Sequence, residues 1–264
     1  MKIIAIDWSG AKSNCRNHIW LAECDAPGHL LRLECGRDRR EIANYLTGSG
    51  ASIIGLDFAF SFPSWFLNTL RLGNAPDLWR YVTEHGEAWL SACEPPFWGR
   101  PGRRRPASTL DALRRTDRSV PKTSGIAPKS TFQIGGAGAV GTGSIRGMPI
   151  LIDLYRDGAR IWPFTEGGSP VVVEIYPRLL TGAVRKSNRS AREQLLVRRF
   201  PNLDSVFVDL AARSEDAFDA MVSALVMSEH ADDLSALPEE DDAQLRMEGR
   251  IWHPRWRFDV RSGT

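Results

Sequence analysis

Paired cysteines are missing from this chain. Cys15, Cys24, Cys35 and Cys93 form no C-x-x-C pair and show no zinc-like spacing. This argues against a disulfide framework and suits reduced thiols in a cytosolic protein. Long apolar runs are also missing. None approaches the roughly 18 residues a membrane-spanning helix needs, and the apolar run before Asp7 is four residues long, too short for a signal-peptide core. The expectation is a soluble, cytoplasmic protein with no membrane partner. No G-x-x-x-x-G-K-[ST] phosphate loop, internal repeat or heptad pattern occurs. His18, His85 and His253 match no nucleophile or zinc pattern and read as structural. Excess charge of one sign is absent too. The net charge is +2, so binding to polyanions would have to come from local clustering.

What is present is enough apolar material for a sizeable core, 42% of 264 residues. KIIAID reads as a buried strand ending at Asp7 in the turn WSG. NHIWLAEC and HLLRLECG, joined by DAPG, extend it to a three-stranded antiparallel meander over residues 2–36. Residues 37–47 read as a helix stopped by Gly48. ASIIGLD follows as a second buried strand ending in an aspartate, Asp57, and then comes the loop FAFSFP. An insertion is expected over about residues 63–129. It is dense in Pro, Gly and Arg, and its stretch from Arg100 to Lys129 carries nine Lys/Arg against Asp111 and Asp117. MPILIDLYRDG and PVVVEIYP read as further strands, or as a short helix and a strand, with Glu174 near the end of the second. SAREQLLVRRF and SEDAFDAMVSALVM read as helices.

The last of these segments raises the question of function. Ser214 as N-cap, with Glu215 and Asp216 complementing the helix dipole, explains the acidic start. Asp219 lies one turn further, among apolar neighbours. An unpaired carboxylate there is costly, so it must face solvent, pair with a base or bind a cation. Residues three apart share a helix face, so Asp216 and Asp219 can present two carboxylates to one point. Asp7, Asp57 and Glu174 each stand at or near the end of a strand, where ligands gather in α/β sheets. Clustered acids repel, and a divalent cation such as Mg2+ or Mn2+ is the usual remedy. Two such ions would suit phosphodiester hydrolysis.

This order of strands and helices, with acids at Asp7, Asp57 and the D-x-x-D-A start at Asp216 to Ala220, resembles the ribonuclease-H-like superfamily, and in particular its Holliday junction resolvases. More narrowly, IDWSGAK, GLDFAFSFP, GGAGAVGTGSIRGMP, VEIYPRLL and EDAFDAMVSA resemble the family called domain of unknown function 429, predicted ribonuclease-H-like nucleases. The resemblance implies an α/β fold, a mixed sheet of three antiparallel strands followed by parallel ones and flanked by helices, forming one domain with a basic insertion. It implies metal ligands at Asp7, Asp57, Asp216 and Asp219, while Glu174, whose strand position is not a usual acid of that superfamily, is expected from its place near a strand end as a catalytic accessory.

Other signals point less sharply. GAGAVG, Gly136 to Gly141, matches G-x-G-x-x-G with Asp157 downstream as a ribose contact. Against it, no clear strand precedes the motif, and Gly143, Gly147 and Pro149 should break the helix that must follow. The alternative is a flexible loop whose amides approach a phosphate near the acids, or a tight packing turn. Asp7, Ser9, Gly10 and Lys12 could form the phosphate turn of an actin-like ATPase, but a single core is visible. Arg103, Arg104 and Arg105 beside Phe97 and Trp98 offer charge and stacking to nucleic acid, or a solvated face. Lys12, Lys129, Arg146 and Arg178 are candidate phosphate contacts by position. WHPRW, Trp252 to Trp256, reads as packing or as a stacking edge. The reading chosen is a Mg2+- or Mn2+-dependent nuclease acting on DNA or RNA. The alternatives are an ATP-dependent phosphotransferase and a non-catalytic nucleic-acid-binding module.

Overall fold

The computed structural model describes residues 1–25, 28–107 and 111–254. Isoleucine alternation on the first strand sets its layers. In β1 (Lys2–Asp7), Ile4 and Ile6 enter one apolar core while Ile3 and Ala5 enter another, as the two-residue period of a strand requires. β1 is therefore covered on both faces. β2 (Trp20–Asp25) and β3 (His29–Glu34) complete an antiparallel meander, with Asp7 opposite Trp20. After α1 (Arg39–Gly48), whose capping box is Asp38 with Glu41, β4 (Ile53–Leu56) pairs parallel with β1 and sets Leu56 beside Ile6.

The stretch expected as an insertion contributes to the core. It contains α2 (Ser64–Thr69), α3 (Ala75–Ala92) and α4 (Arg115–Ser119). Phe66, Leu78, Trp79 and Val82 join Ile4 and Ile6 in the first core.

The expected helix break at Gly143, Gly147 and Pro149 does not occur. All three lie inside α5 (Val140–Arg156), and MPILIDLYR is its second half. An interior proline costs a helix about 3 kcal/mol. Here a buried face of Ile145, Met148, Leu151, Ile152 and Leu154 offsets it. The glycines are packing positions. A Cβ on Gly10 would stand 2.6 Å from the amide nitrogen of Gly143, and one on Gly147 would stand 2.7 Å from the Phe58 ring. The helix backbone thus closes directly on the loops that follow β1 and β4.

β5 (Arg160–Ile161) runs along the first half of β6 (Val171–Ile175), which pairs parallel with β4. Then come α6 (Pro177–Thr181), α7 (Arg189–Arg199), α8 (Ser205–Arg213), α9 (Glu215–Glu229), α10 (Ala231–Ser235) and α11 (Ala243–Glu248). β7 (Ile251–Trp252) closes along the second half of β6. The sheet order is β3-β2-β1-β4-β6-β5, with β7 also on β6. The protein is therefore α/β, with a mixed sheet flanked by helices.

α9 is buried on every side from Ala217 to Ser228, the mark of a central helix. It lies over the sheet face of Ile3, Ala5 and Ile53, with α6 and α8 beyond it. Gly55 makes this fit possible, since a Cβ there would stand 2.5 Å from the Met227 sulfur. Trp252 is fully buried, so the first half of WHPRW is packing. Trp256 lies outside the described residues. Among the described residues, no helix is long and apolar enough to cross a membrane.

Candidate functional site

The parallel strands β1, β4 and β6 end side by side, and each end carries an acid. Asp7 closes β1. Asp57 follows Leu56, and its amide donates to the Ile6 carbonyl at 3.0 Å. Glu174 pairs with Leu56 across β4 and β6. Side-chain alternation then sorts them. Asp7 is in phase with Ile3 and Ala5, and Asp57 with Ile53, all of which face α9. Glu174 is in phase with Val172, which faces the opposite core.

Asp219 comes to the first two from α9. Its position is set by Ser214, whose hydroxyl accepts the Ala217 amide at 3.2 Å and starts the helix as the sequence suggests. Asp7 and Asp219 are each 9% exposed, and Asp57 is half-buried. Burial raises the Asp7 carboxyl well above its usual range, and Asp57, Asp219 and Asp216 raise it further. Burial first, then Asp219, push Asp57 up to about 8 against the opposing charge of Lys186. Burial also raises Asp219, opposed by Lys186 and Arg178. These three acids destabilise one another when ionised. Asp216 stands at the rim, half-exposed, with its Oδ2 3.5 Å from His18 Nδ1. His18, expected to be structural, thus belongs to the edge of the site.

Glu174, expected as a catalytic accessory, is held in an ion pair on the other face of the sheet. Arg114 Nη2 and Nη1 donate to its two carboxylate oxygens at 2.6 and 2.7 Å, and the Phe60 amide donates at 2.9 Å. Asp117 holds the other side of the same guanidinium, and all three charged residues are buried. The carboxylate is neutralised in place.

Lys186 is the residue that sequence reasoning missed. Its ammonium donates to Asp219 Oδ2, and it is the cation paired with the cluster. Asp219 Oδ1 is buried with no hydrogen-bond partner. Tyr176 stands beside Asp57, its hydroxyl raised by burial and then by that acid. A basic residue in the loop after VEIYPRLL carried no periodic signal that could have singled it out.

Two recesses flank the carboxylates, and Trp8 lines both. One, of about 300 Å³, is walled by Asp57, Phe58, Tyr176, Lys129 and Gly143. The other, of about 340 Å³, is lined by Asp7, Ser9, His18 and Asp216. A larger hollow of about 560 Å³ opens by Phe200 and Phe207, and none of these acids lines it.

Comparison with protein-family models, curated proteins and solved structures finds no match. Among the described residues, no group of three or more His, Cys, Asp or Glu side chains stands ready to hold a metal ion. The donors are nonetheless hard carboxylate oxygens, one of them the buried, unpartnered Asp219 Oδ1. That is donor chemistry suited to Mg2+ or Mn2+.

The basic residues expected at phosphate divide into engaged and exposed. Arg146 donates to the Gly10 carbonyl and, at 2.6 and 3.0 Å, to Glu87, so it braces the loop after β1. Arg178 donates to the Val184 carbonyl at 2.9 Å. Lys129 reaches the Ala137 carbonyl at 2.9 Å while lining the recess beside Asp57. Ser9 accepts the Ala11 amide at 3.2 Å. Lys12, Arg103, Arg104 and Arg105 are exposed. Phe97 and Trp98 are buried, which corrects the expectation that they offer faces to bases. Arg105 lies 5.4 Å over the Trp98 ring. The dinucleotide reading fails on context. GAGAVG follows a loop and not a strand, and Asp157 lies at the far end of α5, bonded to Thr47, roughly 25 Å along the helix from the motif.

Proposed function

We propose that this chain is a divalent-metal-dependent nuclease with a ribonuclease-H-like core. The observation that carries the reading is the convergence of Asp7, Asp57 and Asp219, where burial raises all three, Asp57 and Asp219 further raise Asp7, and Asp219 further raises Asp57. Buried like charges of this kind are costly and usually serve to bind a cation or do proton chemistry. The strand order, three antiparallel and then parallel, supports the core assignment, as does the resemblance of IDWSGAK and EDAFDAMVSA to the nuclease family.

In this reading Asp7, Asp57 and Asp219 hold the ion, and Asp216 supports it from the rim. Such an ion would supply a Lewis acid for the phosphate and would lower the pKa of a water. The chain's own groups do the rest. The recess beside Asp57 gives room for a nucleoside next to the phosphate, with Trp8, Phe58 and Tyr176 in its wall. Lys129 at its mouth and the exposed Arg103, Arg104 and Arg105 hold the polyanion backbone. Glu174 positions the loop after β4 through the Phe60 amide and binds no ion.

The test is cleavage of labelled DNA and RNA, linear and branched, with Mg2+, Mn2+ or EDTA, by wild type and Asp7→Asn. Metal-dependent cleavage that Asp7→Asn loses by at least a hundredfold supports the reading. Cleavage unchanged in EDTA or in the variant refutes it.

A further inference from the structure

Lys186 comes from a loop that the fold holds down at several points. Arg192, 5% exposed, donates to the Lys186 carbonyl and, at 3.1 and 2.6 Å, to the Ala212 carbonyl. Ala212 lies in the last turn of α8, two residues before the N-cap of α9. One buried guanidinium therefore ties the backbone of Lys186 to the start of the helix that carries Asp219. Arg178 braces the loop from its other side through Val184 at 2.9 Å and, more weakly, Gly182 at 3.4 Å. Asn188 then caps α7 by accepting the Ala191 amide at 3.1 Å.

An exposed ion pair needs no such bracing and contributes little. The Lys186 and Asp219 side chains are each only 13% exposed. The ammonium occupies one oxygen of Asp219 and leaves the other, Oδ1, buried without a partner. The charge of Lys186 also acts on Asp7 and Asp57. Lysine carries a compact point charge with three donors, so it can hold Asp219 on one side and a phosphate oxygen on the other.

We propose that Lys186 permanently occupies one of the two cation positions of the carboxylate site, so that the site takes one divalent ion and not two. The inference rests on the metal-dependent reading above and departs from the two-ion site expected from the sequence. The three buried carboxylates, one ammonium and one divalent ion are neutral together, and the half-exposed Asp216 at the rim brings the sum to −1. A second divalent ion would leave an excess positive charge in a largely dehydrated site, which is costly.

The experiment counts bound Mn2+ from the loss of its free electron paramagnetic resonance signal, on the full chain at fixed pH. Wild type and Lys186→Arg are expected to bind one ion, and Lys186→Gln to bind two. Lys186→Met replaces Lys186→Gln should the latter fail to fold, as judged by near-ultraviolet circular dichroism. Two ions in the wild type, or one ion in the neutral variant with unchanged affinity, overturn the inference and leave the metal-dependent reading standing. No Mn2+ bound by the wild type overturns both.

Discussion

Replacing Asp57 by Asn should stabilise the metal-free protein, and more so as pH rises. The Asp57 carboxyl stands at about 8 in the folded chain against an ordinary 3.8. A carboxyl raised on folding contributes stability that is complete below its unfolded value and is lost as pH climbs through the folded one. The loss therefore develops between about pH 4 and about pH 8. At ~1.36 kcal/mol per tenfold change, the ceiling for this elevation is about 6 kcal/mol. Burial first and then Asp219 produce it while Lys186 opposes it, so replacing the acid by a neutral amide should recover about 2–3 kcal/mol at neutral pH and above. For a chain of this size that is a rise of roughly 5–10 °C in Tm. The assay is thermal unfolding in EDTA at about pH 5 and about pH 8.5, wild type beside Asp57→Asn. The variant should gain over the wild type as pH rises. A gain independent of pH, or a loss at the higher pH, refutes the account of these acids as mutually strained. With Mn2+ the order should reverse at high pH, because the ion stabilises the ionised wild type and the variant lacks a ligand.

Mn2+ affinity should fall at least tenfold in Asp7→Asn and Asp219→Asn by calorimetry, and wild-type affinity should rise from about pH 6 to about pH 8.5 as the acids give up protons. Arg114→Met should cost about 3–5 kcal/mol by leaving Glu174 and Asp117 buried and unpaired, and adding Glu174→Gln should restore part of the loss in Tm. Gly147→Ala should cost about 1–3 kcal/mol by pressing a methyl into the Phe58 ring. Changing Arg103, Arg104 and Arg105 together to Gln should lower the salt slope of nucleic-acid binding by up to about 3, while unchanged slopes would make them a solvated face.

Much of the fold was legible because its signals are local. The apolar run KIIAID and the turn after it fix β1, and Ser214 with Glu215 and Asp216 fixes the start of α9. Misreadings arose where packing overrides propensity. Gly143, Gly147 and Pro149 look like helix breakers on their own, yet the helix survives because its glycines admit the Gly10 backbone and the Phe58 ring, contacts that no local window contains. Phe97 and Trp98 look like a stacking platform beside arginines, but they serve the core. Lys186 was invisible for a different reason. Its partner, Asp219, lies thirty-three residues on, and its placement depends on Arg192 and Arg178 acting through backbone carbonyls.

Asp57 and Glu174 follow from one rule with opposite results. Both stand at the ends of neighbouring parallel strands, but Leu56 is the residue paired with Glu174, so Asp57 and Glu174 fall on opposite faces of the sheet. The face of Asp57 meets α9, which brings a further acid. The face of Glu174 meets residues 111–120, which bring Arg114. That segment is itself fixed by the C-terminal region. Glu248 accepts the amides of Arg115 at 2.6 Å and Ser64 at 2.8 Å, and Thr116 accepts that of Ile251 at 2.9 Å. The alternation within VVVEI already assigns Glu174 to the face of Val172. A buried acid on that face needs a cation of its own, and the arginine-rich segment supplies it. The same edge of the sheet thus holds one carboxylate that the fold neutralises and three that it compensates only in part, with Lys186. The partly compensated set is where a divalent ion has something to gain.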